Sequence, residues 1–257
     1  MIFTWKKFIQ TKFIKQIIEH PLTGSDRQQS RKLIFNVSFI IMISFTLIVL
    51  LHIIFGNQYF EPSTLAMINN EDGIVEYLSA FLFLICSVIS VIIYFINSDN
   101  HNRKMIFIVF AIGFFFCFGE EISWGQRIFN FKTPEIIREI NAQNEANLHN
   151  LFGYFADHLF LAGVFFYCVI LPLLKTTSPF WNRFTEKVGL PLPSLGLAIS
   201  FFIVSLIQKR MIWKLIPTSS GMAVIEMREL LISVGFLLLL LEYWNYSQQN
   251  GKPKRRL

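Results

Sequence analysis

The chain has 257 residues, of which 53% are hydrophobic and 16% are charged, and 29 are phenylalanine. A soluble domain carries about 25% charged residues, and here the apolar residues are concentrated in runs of about 20, the length that spans a bilayer. This composition excludes an ordinary soluble domain and predicts an all-α fold, a polytopic bundle of membrane helices. The formal net charge of +6 does not indicate nucleic-acid binding, because lysine and arginine in a membrane protein report its topology first.

The N-terminal 20 residues place lysines between apolar residues at helical spacing. This pattern indicates a basic amphipathic helix on an anionic leaflet, and a solvated basic tail is the alternative. Pro21 ends the segment, and 22–32 is predicted as a polar linker. The predicted domains are a cytoplasmic segment and linker at 1–32, a transmembrane helical domain at 33–243 and a basic cytoplasmic tail at 244–257.

Six apolar runs are predicted to cross the membrane. They lie at about 33–55, 74–96, 104–120, 151–174 (halted near Pro172), 193–212 and 222–243. Between the third and fourth runs, the segment 124–150 is predicted as an interfacial or re-entrant helical segment, because backbone at that depth must be covered by protein or line a wet cavity.

The charges predict the orientation of this bundle. With six spans, 16 of the 23 lysines and arginines fall on one side, which the positive-inside rule places in the cytoplasm together with both termini. Of the 17 acidic residues, 12 then fall on the outer side. We therefore predict an inner-membrane protein that brings carboxylates from four parts of the chain to one membrane face.

Glu120 and Glu121 close the third predicted span. Adjacent helical residues point about 100° apart, so one is expected to face the bundle and the other Arg127 or water. A carboxylate packed beside other acids is a candidate proton donor or base. The alternative is a helix end that forms a salt bridge to Arg127.

The residues that follow are candidates for substrate binding. Trp124 suits the membrane interface, Gln126 is polar and Arg127 suits an anionic head group or carboxylate. Arg210, at the outer end of the fifth span, either pairs with the acids of the second and sixth spans or binds phosphate, and the alternative is that it snorkels to the interface.

Glu145 and His149 are four residues apart on one helical face, a spacing compatible with catalysis or with metal binding. Together with His158 they are candidate ligands for a divalent metal such as zinc. His158 needs a break in the helix to join them, and Gly153 is the obvious place. The alternative is that His149 caps a helix and His158 bonds to a neighbouring acid.

Glu76 and Glu229 are the deepest acids of the second and sixth spans, each preceded by a second acid, Asp72 or Glu226, at helical spacing. Acids near helix N-termini are favourable on dipole grounds alone, so part of each pair needs no function. The candidate catalytic residues are Glu76, Glu120, Glu121, Glu145 and His149.

The stretch from Phe118 to Arg127, followed by Thr133-Pro134-Glu135 and by Asn141 to Asn150, resembles the signature of a family of uncharacterised bacterial multi-pass membrane proteins. The resemblance covers about 40 residues and implies a membrane helix bundle without implying an activity.

Three functions fit these patterns. The first is a membrane-embedded enzyme, a hydrolase or transferase, acting on a lipid or lipid-linked substrate at the extracytoplasmic face through the glutamates, His149 and Arg127. The second is a proton- or ion-coupled transporter. The third is a structural or signalling partner within the membrane. Membrane lipids are the expected partners, and nucleic acid is not expected.

Overall fold

The computed structural model describes residues 24–70, 73–96, 101–129, 133, 135, 154–215 and 221–250. Every regular element in these ranges is helical. The helices are α1 (Gly24–Tyr59), α2 (Pro62–Asn69), α3 (Ile74–Ile96), α4 (His101–Glu121), a 3₁₀ turn (Ser123–Gly125), α5 (Gln126–Phe129), α6 (Tyr154–Phe165), a π-helical turn (Phe166–Ile170), α7 (Leu171–Thr177), α8 (Pro179–Val188), α9 (Leu195–Ser205), α10 (Lys209–Leu215) and α11 (Gly221–Asn250).

Three stretches of the described chain are long and apolar enough to cross a membrane: Val37–Tyr59, Pro62–Ile96 and Phe155–Thr177. The predicted all-helical membrane fold is therefore present. Crossing by α4, α9 and α11 stays a prediction. The described parts of α4 and α11 carry several charged residues, and α9 is short.

Helix α11 is the centre of the bundle. Its side chains from Val224 to Leu240 are buried, except for the partly buried Ile225 and Leu237. It contacts α1, α3, α9 and α10, while α3 also packs along α4. A helix that is apolar around most of its circumference is stable only when other helices cover it, so α11 organises the packing of the others.

The outward faces of the surrounding helices are apolar as well. Ile48 of α1 is 63% exposed and Ile112 of α4 is 66% exposed. A surface with many exposed large apolar side chains is suited to contact with lipid.

The fifth predicted span is interrupted. Helix α9 has only 11 residues, a rise of about 16 Å, against a hydrocarbon core of about 30 Å. The chain leaves the helix at Leu206 and resumes as α10 at Lys209. We predicted one span at 193–212, and the structure instead has two shorter helices joined beside α11.

The fourth predicted span does not stop at Pro172. The Leu171 N–H bonds to the carbonyl of Phe166, five residues earlier, which forms a π-helical turn directly before the proline. Proline cannot donate a hydrogen bond and its ring crowds the preceding turn of an α-helix; the wider turn relieves that crowding. The helix continues to Thr177.

The bounds of the first helices also differ from prediction. Helix α1 begins at Gly24, within the segment predicted as a linker, and α2 occupies part of the predicted loop after it. His52 of α1 lies 2.9 Å (Nε2 to Oδ1) from Asn69 of α2. This polar contact holds the short α2 against the end of α1.

The start of α9 is fixed by a buried acid. The backbone N–H and hydroxyl of Ser194 donate to the two carboxylate oxygens of Glu242 at 3.0 and 2.8 Å. The same hydroxyl accepts from the N–H of Leu197, which is an ordinary serine N-cap. Glu242 therefore connects the far end of α11 to the first turn of α9.

Candidate functional site

Three carboxylates converge where α4 ends and α11 begins. Glu121 is the last residue of α4, and Glu226 and Glu229 lie in the second and third turns of α11. One carboxylate oxygen from each lies within 4.8 Å of the others. Glu226 and Glu229 are 8% and 7% exposed. Their i, i+3 spacing places both on one face of α11. We call Glu121, Glu226 and Glu229 the carboxylate centre.

Helix α3 supplies a hydroxyl to this centre. Ser79 is fully buried, and its hydroxyl donates to Oε2 of Glu121 at 3.0 Å and lies 2.8 Å from the backbone carbonyl of Glu76. Glu76 is one turn earlier on the same helix, and its backbone carbonyl also accepts from the Ser79 hydroxyl. Three different helices thus contribute polar groups to one small volume.

A buried ion pair lies on the other side of α11. Nη2 of Arg228 is 2.8 Å from Oδ1 of Asp157 in the first turn of α6, and the two side chains are 2% and 10% exposed. Nη1 of Arg228 donates to Oε1 of Gln208 at 3.4 Å. Its Nε has no hydrogen-bond partner within the described part of the chain. Gln208 belongs to the break between α9 and α10, so this guanidinium connects the break to α6.

The backbone after Glu121 turns sharply. Ser123, Trp124 and Gly125 all have positive φ, at 46°, 53° and 77°. Non-glycine residues rarely adopt this conformation, and the cost is of order 1–3 kcal/mol each. Such strain occurs preferentially at functional sites, and here it comes within two residues of the carboxylate centre.

This turn places the indole of Trp124 against the last turn of α4. Its Nε1 donates to Oε1 of Glu120 at 2.6 Å. A Cβ on Gly119 would lie 2.9 Å from the indole ring, so a glycine is needed where the ring crosses the helix. Glu120 therefore faces Trp124, while Glu121 faces the bundle. The sequence predicted that split, but not that Trp124 would be the partner of Glu120.

The other predicted site residues are distributed as follows. Gln126 donates to the Thr133 hydroxyl at 2.7 Å, next to the strained turn. Arg210 lies on α10 and is exposed, as is His158 on α6. Neither belongs to the carboxylate centre. Glu145, His149 and the side chain of Arg127 lie outside the described residues.

Arg228, Asp157, Ser79 and Gln208 were not among the predicted site residues. Arg228 carried one available signal, a cation deep in an apolar run between two acids, and buried arginine demands an acidic partner. The sequence around Asp157 does not indicate which cation would be its partner. Ser79 and Gln208 gave no signal, since isolated polar residues are common in membrane helices.

The carboxylate centre can hold protons or a cation. Three carboxylates this close repel one another strongly in a low dielectric, and either a bound proton or a cation relieves that repulsion. An all-oxygen donor set suits Mg²⁺, Mn²⁺ or Ca²⁺ better than zinc, which favours nitrogen and sulfur. The donors in the described chain therefore differ from the zinc set predicted with histidines.

Comparison with protein families, with curated proteins and with solved structures gives no match to this chain.

Proposed function

We propose that this protein is a membrane-embedded enzyme, a hydrolase or transferase, that acts on a lipid or lipid-linked substrate at the extracytoplasmic face. The observation that carries the proposal is the convergence of Glu121, Glu226 and Glu229, whose carboxylate oxygens lie within 4.8 Å of one another. Clustered acids inside an apolar bundle are costly, and a use in chemistry accounts for that cost.

The chemistry follows from how such a cluster titrates. Burial and mutual repulsion both favour the protonated form of a carboxyl group in such a cluster, so the site can hold a proton on one carboxyl beside an ionised one and supply a general acid and a general base together. Ser79 orients Glu121 through its 3.0 Å hydrogen bond. A divalent cation in place of the proton would be held by Glu121, Glu226 and Glu229 and would supply Lewis-acid polarisation of the substrate.

The placement of the centre supports a lipid substrate. Glu121 ends its helix, and Glu229 is only eight residues, about 12 Å, into α11. The centre is thus near one end of the bundle. In the proposed topology, in which α4 and α11 cross the membrane, this end reaches the lipid head groups and the first acyl carbons. Trp124, 40% exposed beside it, suits that interface.

The test is lipid mass spectrometry on bacterial membranes that contain the full-length protein. Wild-type protein should deplete one lipid class and enrich another, and Glu121→Gln and Glu229→Gln should each abolish the change, by 100-fold or more if the group is a general acid or base. Unchanged lipids with wild-type protein at high expression would refute the proposal.

Glu120→Gln is the matched control. It makes the same chemical change one residue away, at a carboxylate that accepts from Trp124 and lies outside the carboxylate centre. It should retain the lipid change. If Glu120→Gln loses the lipid change to the same degree, the loss is not specific to the carboxylate centre, which would contradict the assignment of the activity to that centre.

An ion-coupled transporter is the second candidate. The break between α9 and α10 favours it, because discontinuous helices beside buried charges are typical of transporter binding sites. Proteoliposomes separate the two functions: a transporter would show a cation or proton flux that Glu229→Gln abolishes, without any change in the lipids.

A further inference from the structure

Helix α8 (Pro179–Val188) has an exposed apolar face. Phe180 is 67% exposed and Phe184 is 43% exposed. At i, i+4 spacing they share one side of the helix, and their rings lie nearly parallel with centroids 6.5 Å apart. A short helix with two exposed phenylalanines side by side needs an apolar environment to cover them.

The same helix has two further faces of different character. Thr185 is 2% exposed, and α8 contacts α4, so one side packs on the bundle. Arg183 and Glu186 are exposed on the remaining side, and Lys187, also exposed, lies next to the apolar face, three residues after Phe184. This division into protein, apolar and charged sides is that of a helix lying along a surface.

The apolar face continues the outer surface of the adjoining membrane span. Only Ser178 separates α8 from the Phe155–Thr177 stretch. Trp181 contacts both phenylalanines of α8 and also Phe166 of the span, with ring centroids 6.2 Å apart. Phe166 is 45% exposed on a helix that is long and apolar enough to span a membrane. Lipid that covers Phe166 would therefore also contact Trp181 and the two phenylalanines beside it.

The charges specify the kind of lipid. Lys175, at the end of the span, and Arg183 and Lys187 on α8 outnumber the single acid, Glu186. Cations beside an apolar face favour anionic head groups.

We propose that α8 is an interfacial anchor, which lies in the head-group region of an anionic leaflet with Phe180 and Phe184 inserted among the acyl chains. The membrane is thus the occupant of this face, and the anchor sets the depth and tilt of the preceding span. This inference does not depend on the proposed enzymatic function.

Site-directed spin labelling of the full chain tests the anchor. Cys86, Cys117 and Cys168 are replaced by alanine, and single cysteines are placed at 180, 183, 184 or 186 for labelling in nanodiscs of phosphatidylglycerol. Labels at 180 and 184 should be several-fold more accessible to oxygen than to a water-soluble nickel complex. Labels at 183 and 186, exposed positions on the charged side of the same helix, should show the reverse.

Each alternative has its own outcome. Nickel access at 180 and 184 equal to that at 183 would place the face in water, and exclusion of both reagents would place it against protein, such as a second copy; either overturns the anchor. The anionic preference is tested by Arg183→Gln with Lys187→Gln. The pair should lower the oxygen-to-nickel ratio at position 180 in phosphatidylglycerol, to about the ratio that the unsubstituted protein shows in phosphatidylcholine. An unchanged ratio would overturn the preference.

Discussion

At the scale of single residues, the buried pair of Arg228 and Asp157 carries a large free-energy cost if either charge loses its partner. A guanidinium that is 2% exposed inside an apolar bundle is stable only with a partner for its charge. Nη1 and Nη2 have partners in Gln208 and Asp157. Removing Asp157 leaves a buried cation with one neutral partner, whereas removing both charges avoids that penalty.

Asp157→Asn should therefore lower the free energy of unfolding by about 3–5 kcal/mol, the range for a buried ion pair that loses one partner. The measurement is SDS-induced unfolding of the purified protein in mixed micelles. His158→Gln is the control, since His158 is the next residue and is exposed, and it should change stability little.

The double variant Asp157→Asn with Arg228→Met completes the cycle. It should be less destabilised than the sum of the two single variants, because each single variant leaves one buried charge without its partner and the double variant leaves none. Strict additivity would show that the pair contributes no coupling energy and would contradict the structural interpretation.

At the scale of elements, the contact between α9 and α11 depends on Gly235. A Cβ there would lie 2.5 Å from the ring of Phe201. That ring is 2% exposed and packs against Phe236 with centroids 5.7 Å apart, so it has little room to move. The absence of a side chain at 235 lets the short α9 lie close to the central helix.

Gly235→Ala should destabilise the protein by about 1–3 kcal/mol through overpacking, seen as a lower midpoint of thermal unfolding in detergent. Gly113→Ala and Gly163→Ala are matched controls, because a Cβ at either position meets nothing within 4 Å. They should be neutral or stabilising by up to about 1 kcal/mol, since alanine is the better helix former. Equal losses at all three sites would contradict the overpacking argument.

The elements also show what a sequence of this kind can predict. Hydropathy located most of the helices, because a bilayer selects length and apolarity directly. It did not locate the break at Leu206–Gln208 or the π-helical turn before Pro172, because hydropathy is averaged over a whole run and does not separate one long helix from two shorter ones. The polar Gln208-Lys209-Arg210 and Pro172 were the local signals available at these two places.

The candidate site was predictable to a similar extent. Because Glu76, Glu121 and Glu229 lie at the ends of predicted spans, the sequence predicted that they share one end of the bundle. In the structure these residues do lie at the same end. Which acids touch depends on the rotation of each helix about its axis, and the sequence does not fix that rotation. For this reason the sequence did not indicate that Glu226 and Ser79 would lie beside Glu121, or that Arg228 would pair with Asp157 on the other side of α11.

At the scale of the whole molecule, the two ends of the bundle differ. The carboxylate centre lies at the end of the bundle where α3 and α11 begin and α4 ends, and the amphipathic α8 follows the opposite end of the α6–α7 helix. Under the predicted topology the acids face outward and α8 lies on the cytoplasmic leaflet, where the positive-inside rule places its cations.

Reporter fusions test that topology. Green fluorescent protein fused after residue 257 or within 97–100 should fluoresce, and alkaline phosphatase should be active after residue 70 or within 216–220. The physical basis is the bias of lysine and arginine toward the cytoplasm. Active phosphatase at residue 257 would reverse the orientation and move the carboxylate centre to the cytoplasmic leaflet.

The distance along the chain between Asp157 and Arg228, 71 positions, has a consequence for biogenesis. As the nascent chain leaves the ribosome, Asp157 reaches the translocon long before its counter-ion has been synthesised. An aspartate at the centre of an isolated helix opposes insertion by about 2.5–3.5 kcal/mol. Asp157 instead lies in the first turn of α6, at the end of the helix. A carboxylate at this position can stay in contact with water until the last helix has inserted. Assembly should thus finish from the C-terminal end, when α11 enters and brings Arg228 to its partner.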